Sequence, residues 1–177
     1  MPYGCLDSKR LSQASRIGLE KALDWWQKSM VTSKYKTYMV IAGYDADAGQ
    51  EIKLRKEIVT QTLNDPELLN HIVEVRAHNE QALAQKISRL RDLLPVETIT
   101  VFVESRNAVS VKAIFKRKFR NTLQIRRFKA DFESDHQWIS TSTSFAWFFR
   151  NWMLRIWFEV KRRLGRRIRK KIRFLFR

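Results

Sequence analysis

The chain has 177 residues, of which 44% are apolar and 12% aromatic, and its net charge is +17. This composition excludes a wholly disordered chain and suits one domain with a buried core. The charge favours nucleic acid, acidic lipid or an acidic protein as the partner. Cys5 is the single cysteine, which excludes an intrachain disulfide and a cysteine-based metal cluster. We find no secretory signal pattern, and no uncharged apolar stretch of about 18 residues predicts a membrane-spanning helix.

Helical and extended patterns alternate along most of the chain. Apolar residues at helical spacing predict helices over residues 12–27, 51–63, 79–94 and 109–119. Apolar and β-branched runs predict strands over residues 37–42, 71–75, 98–103 and 123–128. This order predicts parallel strands that are joined by right-handed crossovers. We therefore expect an α/β fold, with a three-layer, open, mainly parallel, Rossmann-like sheet and helices on both faces.

A long helix is predicted from Phe145 onward, after a polar, turn-rich connection over residues 131–144. Its first part, to Val160, is apolar almost all round, and its second part has a narrow apolar stripe and a dense basic face. From Arg150 to Arg177 there are nine arginines and three lysines against one acid, a net charge of +11. We therefore divide the chain into a domain, residues 1–144, and an aromatic and basic amphipathic helix, residues 145–177.

Three interpretations of this C-terminal helix stay open. The one we favour is an interfacial membrane helix, with Trp and Phe at head-group depth and Arg and Lys on anionic lipid. The second is nucleic-acid binding, although the aromatic residues cluster in the less charged half rather than among the bases. In the third, residues 145–160 pack on the domain and a solvated basic tail follows. The bases expected on an anionic surface are Lys161, Arg162, Arg163, Arg166, Arg167, Arg169, Lys170, Lys171 and Arg173.

Several segments together resemble the ElyC/SanA/YdcF family of α/β domains, over roughly residues 4–164. GCLDSKRLSQASRIGLEKAL stands where that family has a glycine-containing turn and a Leu-Ser…Arg-Leu helix, and IAGY stands where a strand ends in Ser-Gly-Gly. Glu51 matches a glutamate of the next helix. EVRAHNE is similar to the family's Glu-x-x-Ser-x-Asn-Thr segment, and TVFVESRNAVSVKAIFKRKF to a strand ending in Val-Thr-Ser before a His and an Arg-Ala helix.

The sequence also departs from the pattern of that family. Tyr44 replaces the second glycine of the turn, Ala77 and Glu80 replace the Ser and Thr, and Glu104 replaces the strand-end Thr. No histidine follows Ser105 in the next helix, and the family's first strand is largely missing. The resemblance implies a pocket at the carboxyl ends of the strands, a role in bacterial envelope and cell-wall precursor biology, and a nucleotide-like or phosphorylated ligand. The departures leave both interpretations open, a working site and a site that has lost its activity.

The physical expectation for an open parallel sheet points to the same place. Ligands bind in the crevice at the carboxyl ends of the strands, where helix N-termini present free N–H groups. Three acids at corresponding positions there would act as acid and base or bind a divalent metal, or else are solvated loop acids favoured by helix dipoles. These candidate catalytic residues are Glu51, Glu74 and Glu104. The candidate ligand-binding residues are Gly43, His78, Asn79, Ser105, Arg106 and Asn107.

No further catalytic signature is present in the sequence. GxxxxGK[ST], GxGxxG, GxSxG and HExxH are absent and the histidines lack metal-ligand spacing, so catalysis stays open and no metal or cofactor is assigned. We expect a YdcF-like protein at the cytoplasmic face of a membrane, peripheral to it, that binds or processes a phosphorylated, nucleotide or lipid-linked envelope precursor. The alternative is a non-catalytic adaptor that binds membrane or nucleic acid through the basic helix.

Overall fold

The computed structural model describes residues 5–7, 10–33, 36–44, 48–63, 65–77, 79–93, 97–131 and 143–175, and over these ranges the protein is mixed α/β. The strands are β1 (Cys5–Asp7), β2 (Arg10–Leu11), β3 (Met39–Tyr44), β4 (Ile72–Ala77), β5 (Ile99–Glu104) and β6 (Leu123–Phe128). The helices are α1 (Gln13–Thr32), α2 (Ala48–Thr62), α3 (Pro66–Leu69), α4 (Glu80–Leu93), α5 (Ala108–Phe119) and α6 (Ser144–Leu175). A 3₁₀ turn, Arg120–Thr122, connects α5 to β6.

Parallel pairing organises the four longer strands. β3 lies parallel to β4 with Met39 opposite Ile72, and β5 lies parallel to β6 with Ile99 opposite Leu123. Helices provide the crossovers that parallel neighbours require, α2 and α3 in the first pair and α5 in the second. β1 and β2 form a separate antiparallel pair. The described strands thus form separate two-stranded sheets, where the sequence predicted a single open sheet.

Side-chain packing, rather than a shared hydrogen-bond ladder, joins the two parallel pairs. A ladder forms only between strands about 4.8 Å apart, whereas apolar side chains pack across a wider separation. The first core includes Leu23 and Trp26 of α1, Ile41 of β3 and residues of α2. The second core combines β4, β5, α4 and α5, with Val103 and Phe115 among its buried members. Strands of both pairs therefore contribute to the second core.

Helix α1 begins at a side-chain cap and reaches both strand pairs. The Ser12 hydroxyl accepts a hydrogen bond from the N–H of Ser15 at 3.1 Å. The helix continues five residues beyond the predicted end at residue 27, and Trp26 Nε1 donates to Thr37 O at 3.1 Å. On another side of α1, the Trp25 ring lies 6.0 Å from that of Phe102 in β5.

The longer elements lie close to their predicted positions, and the short ones were missed. β6 has its predicted bounds, and β3, β4 and β5 each begin one or two residues after the predicted start. β1, β2, α3 and the 3₁₀ turn were not predicted, because two to four residues are too few to show a periodicity. α3 carries the local signals of a helix start, since the Asp65 carboxylate accepts from Glu67 N at 2.9 Å and Pro66 follows the cap.

We expect Gly18→Val to lower the free energy of unfolding by about 2 kcal/mol. A Cβ on Gly18 would lie 2.7 Å from Cζ of Phe128, a buried ring of β6, so the ring would have to shift within the core or α1 and β6 would have to move apart. The matched control is Gly49→Ala in α2, where no atom lies within 4 Å, and this change should stabilise by about 0.5 kcal/mol. Urea unfolding measures both. A Gly18→Val protein as stable as the unchanged chain would contradict the described packing.

Candidate functional site

Glu51 lies in the first turn of α2 and is almost completely buried, with 3% of its surface exposed. Its Oε1 lies 2.5 Å from Nη2 of Arg55, one helical turn later, and the same nitrogen donates to Ser15 Oγ at 2.7 Å. A buried carboxylate is tolerated when it is paired in this way. Glu51 and Arg55 therefore join α2 to the first turn of α1.

Glu74 lies in the middle of β4, opposite Ile41 of β3. The prediction that it stands at the carboxyl end is wrong, because the strand continues to Ala77 with Val75 and Ala77 buried in alternation. The Glu74 carboxylate accepts from Lys56 Nζ at 2.9 Å, and both side chains are largely exposed. Glu74 is therefore one partner of a surface ion pair.

Arg106 forms a polar network at the carboxyl end of β5. Its Nε donates to Glu104 Oε1 at 2.9 Å, and its backbone N–H donates to Glu104 Oε2 at 2.7 Å. The guanidinium also donates to Ala130 O at 2.5 Å and to Ser144 Oγ at 3.4 Å. Because Ala130 follows β6 and Ser144 begins α6, this network ties three segments of the chain together.

Ser105 and Asn107, in the same turn, also have partners within the fold. Ser105 donates to Phe128 O from its backbone N at 2.8 Å and from its hydroxyl at 2.7 Å, which extends the contact between β5 and β6. Asn107 Oδ1 lies 2.8 Å from the hydroxyl of Ser110, in the first turn of α5. Both side chains therefore stabilise the turn in which the sequence analysis expected them to bind a ligand.

Gly43 and Asn79 lie near the ends of β3 and β4. Gly43 is buried one residue before the end of β3, opposite Arg76. Asn79 precedes α4 and acts as its cap, since its Oδ1 accepts from Ala82 N at 2.9 Å. His78 lies outside the described residues. The structure thus gives Asn79 a local structural role at the position predicted for ligand binding.

The three predicted acids do not share a metal site. In the part of the chain that the structure describes, no group of three or more His, Cys, Asp or Glu side chains is placed to hold a metal ion. Each acid instead pairs with its own base: Glu51 with Arg55, Glu74 with Lys56 and Glu104 with Arg106. These separate ion pairs favour the structural alternative for the acids.

Helix α6 docks on α5 through a small and fully buried contact. Trp147 and Asn151, one helical turn apart, each expose 1% of their surface. Asn151 Nδ2 donates to Trp147 O at 2.9 Å. Asn151 Oδ1 lies 3.0 Å from the hydroxyl of Ser110 in α5, whose single proton it shares with Asn107 Oδ1. Because both ends of the amide are bonded, its burial costs little free energy.

Arg150 flanks this contact. Its guanidinium carbon lies 5.1 Å from the centre of the Trp147 ring, within the range of a cation–π interaction. Burial lowers the pKa of Arg150 below its usual value, and the charge of Glu80 at the start of α4 opposes that shift. The charge of Glu80 therefore offsets part of the cost of burying Arg150 beside Trp147.

The side of α6 opposite the docked residues is apolar and exposed. Phe149, Trp152 and Ile156 lie more than about 135° around the helix from Trp147, given 100° per residue. We define the outer face of α6 by its large apolar side chains, which expose 38–77% of their surface: Phe145, Phe148, Phe149, Trp152, Met153, Ile156, Trp157, Val160 and Leu164. A continuous apolar surface of this size marks an interaction site.

The predicted anion-binding bases follow on the same helix. Lys161 and Arg163 are exposed, and Arg163 Nε lies 3.2 Å from Glu159 Oε1. The helical backbone continues to Leu175 and so includes Arg166, Arg167, Arg169, Lys170, Lys171 and Arg173. Those side chains, and that of Arg162, lie outside the described part. Within the described ranges, no helix combines the length and hydrophobicity needed to cross a bilayer.

The residues that hold α6 on the domain were not predicted. The sequence described residues 145–160 only as apolar almost all round, which singles out neither Trp147 nor Asn151. The available signal was the amide itself, since a lone amide in an apolar helix requires a hydrogen-bond partner. Ser110 gave no signal, because its burial depends on where α6 docks.

We expect Arg106→Ala to lower the free energy of unfolding by about 3 kcal/mol, because it leaves the buried Glu104 carboxylate without its cation. Lys56→Ala removes the base from an exposed ion pair and should lower the free energy of unfolding by less than about 1 kcal/mol. Urea unfolding followed by circular dichroism compares the two variants. Equal losses would contradict the structural role of the Arg106 network.

No family model, curated protein or solved structure matches the chain. The function is therefore argued from the contacts and charges of this chain. Two features stand out in the described residues: polar groups at the strand ends that bind one another, and an outer face of α6 that remains exposed after docking.

Proposed function

We propose that the protein is a peripheral, non-catalytic adaptor that binds anionic membrane surfaces through α6. The observation that carries this proposal is the outer face of α6, where nine large apolar side chains stay exposed after the helix has docked. Burying apolar surface contributes about 25 cal/mol per Å². An interfacial helix obtains this free energy by placing its apolar face at the boundary between head groups and acyl chains.

Charge on the same helix complements the apolar face. Nine bases lie between Lys161 and Arg173, and near an anionic leaflet each contributes about 1 kcal/mol when the contributions are taken singly. Stable attachment to a membrane generally needs two signals, such as an apolar anchor together with a basic cluster. α6 supplies both in sequence, which favours a cytoplasmic leaflet rich in anionic lipid.

Nucleic acid is the less favoured partner of α6. Surfaces that bind single strands place aromatic side chains along a groove that is itself positively charged. Here the exposed aromatic residues extend from Phe145 to Trp157, before the dense bases that begin at Lys161. This separation of aromatic residues from bases does not fit such a groove, whereas a membrane interface can take an apolar face and a neighbouring basic cluster on one helix.

We further propose that the two cores belong to one three-layer, Rossmann-like domain, similar to the domains of the ElyC/SanA/YdcF family. It is supported by α1 and α2 packing on β3 in the first core, and by α4 and α5 packing on β4 and β5 in the second. In such a domain the strand-end crevice would take a phosphorylated, nucleotide or lipid-linked envelope precursor. Glu51 pairs with Arg55, and Arg106 pairs with Glu104. Because these groups are bonded within the fold, they favour the adaptor over an enzyme that processes such a precursor.

We expect Ile156→Asp to weaken binding to vesicles of phosphatidylserine and phosphatidylcholine by at least about tenfold, because it places a carboxylate in the outer face. The matched control is Val31→Asp, since Val31 at the end of α1 is 88% exposed and lies outside α6. The affinity of this control for the vesicles should lie within about twofold of that of the unchanged chain. Co-sedimentation of the full chains measures the affinities. The proposal fails if Ile156→Asp binds as tightly as the unchanged chain.

The lipid requirement and the choice between lipid and nucleic acid are tested in the same assay. Vesicles of phosphatidylcholine alone should bind much more weakly, and added salt should weaken binding to the anionic vesicles by screening the bases. Duplex DNA at an equal concentration of phosphate should leave most of the chain on the anionic vesicles. Displacement by DNA would support the nucleic-acid alternative instead.

A further inference from the structure

Hydrophobic burial alone does not select the face by which α6 docks. Between Phe145 and Val160, large apolar residues occur almost all round the helix. Trp147 and Leu154 lie on the docked side, and Phe149 and Ile156 lie on the opposite side. More of the large apolar side chains lie on the exposed side than on the docked side, so the hydrophobic term does not by itself favour the observed setting. A directional contact is needed to choose between them.

One such contact lies at the centre of the docked face. The hydrogen bond from Ser110 Oγ to Asn151 Oδ1, 3.0 Å long, joins residues that are 41 positions apart, and both are almost completely buried. A buried polar pair stabilises a fold only weakly, but in helical assemblies it can specify one register among several. Asn151 is the polar residue that α6 places fully inside the contact, among the side chains that the structure describes.

We infer that Asn151 is a positioning residue whose hydrogen bond to Ser110 sets the rotation of α6 on the domain. In this setting Phe149 and Ile156 face outward, which makes the outer face continuous and apolar. The inference rests on the proposed function, because the outer face is the surface that would meet the membrane.

The alternative setting would present a poorer surface to a membrane. A rotation of about half a turn breaks the bond between Asn151 and Ser110 and moves Arg150 away from Glu80. It also turns Trp147 and Asn151 outward, so that an amide interrupts the exposed apolar side. The polar contact thus links the docking of α6 to the composition of the face that remains exposed.

Spin labels measure the rotation in the full chain without lipid. In a Cys5→Ser background, labels attached singly at Phe149→Cys and Leu154→Cys should be mobile at the first position and immobilised at the second. Adding Asn151→Leu should give the label at position 149 an immobilised component. We expect the ratio of the two settings to change about fivefold, the size expected for one net hydrogen bond. Ser110→Ala removes the same bond from α5 and should produce the same change.

The matched control is Asn121→Leu, the same substitution in the exposed turn that follows α5. Both spectra should be unchanged in this control. Unchanged spectra in Asn151→Leu and Ser110→Ala would overturn the inference. If the labels at positions 149 and 154 were both mobile in Asn151→Leu and Ser110→Ala, the inference would also be overturned. The bond would then hold α6 on the domain without choosing its rotation.

Vesicle co-sedimentation separates this inference from the proposed function. If both hold, Asn151→Leu also weakens binding to anionic vesicles, by up to about fivefold. If the unchanged chain does not bind vesicles, the proposed function fails while the spin-label result still decides the positioning role. If the unchanged chain binds and the variants show no spectral change, the positioning role alone fails.

Discussion

Helix α1 packs on both parallel strand pairs, and the relative position of those pairs depends on that packing. Trp26 lies in the first core with β3 and α2, and its neighbour Trp25 contacts Phe102 of β5. The described strands of the two pairs share no hydrogen-bond ladder, so side chains hold them together. Because packed side chains interdigitate closely, α1 needs a small residue, Gly18, where it approaches the ring of Phe128.

The strand-end polar residues show how a plausible ligand site is used for structure. Glu104 and Arg106 bind each other, and the guanidinium also bonds Ala130 and Ser144. A charged group that satisfies its hydrogen bonds within the fold has less capacity left for a ligand. Glu51 is likewise paired within the fold, with Arg55. The chemistry expected at these positions was reasonable, but their partners come from segments distant in the sequence.

Helix α6 combines two apolar sides with different tasks. One side closes the domain around Trp147 and Asn151, and the other remains exposed over nine large side chains. Hydropathy does not explain which side docks, since the exposed side carries more large apolar residues than the docked side. We attribute the distinction to one directional hydrogen bond, between Ser110 and Asn151. The proposed function follows from the side that docking leaves uncovered.

The sequence by itself determined the longer helices and strands, because apolar periodicity and the Ser12 cap are local properties that need no tertiary contact. It also determined that the bases are concentrated near the C-terminus, because composition is read directly from the sequence. Only the tertiary structure decided that the strands pair two by two, that Glu74 lies in mid-strand, and that Asn151 is buried against Ser110. These features depend on which distant segments meet, and pairwise contacts across tens of residues leave no periodic trace in the chain.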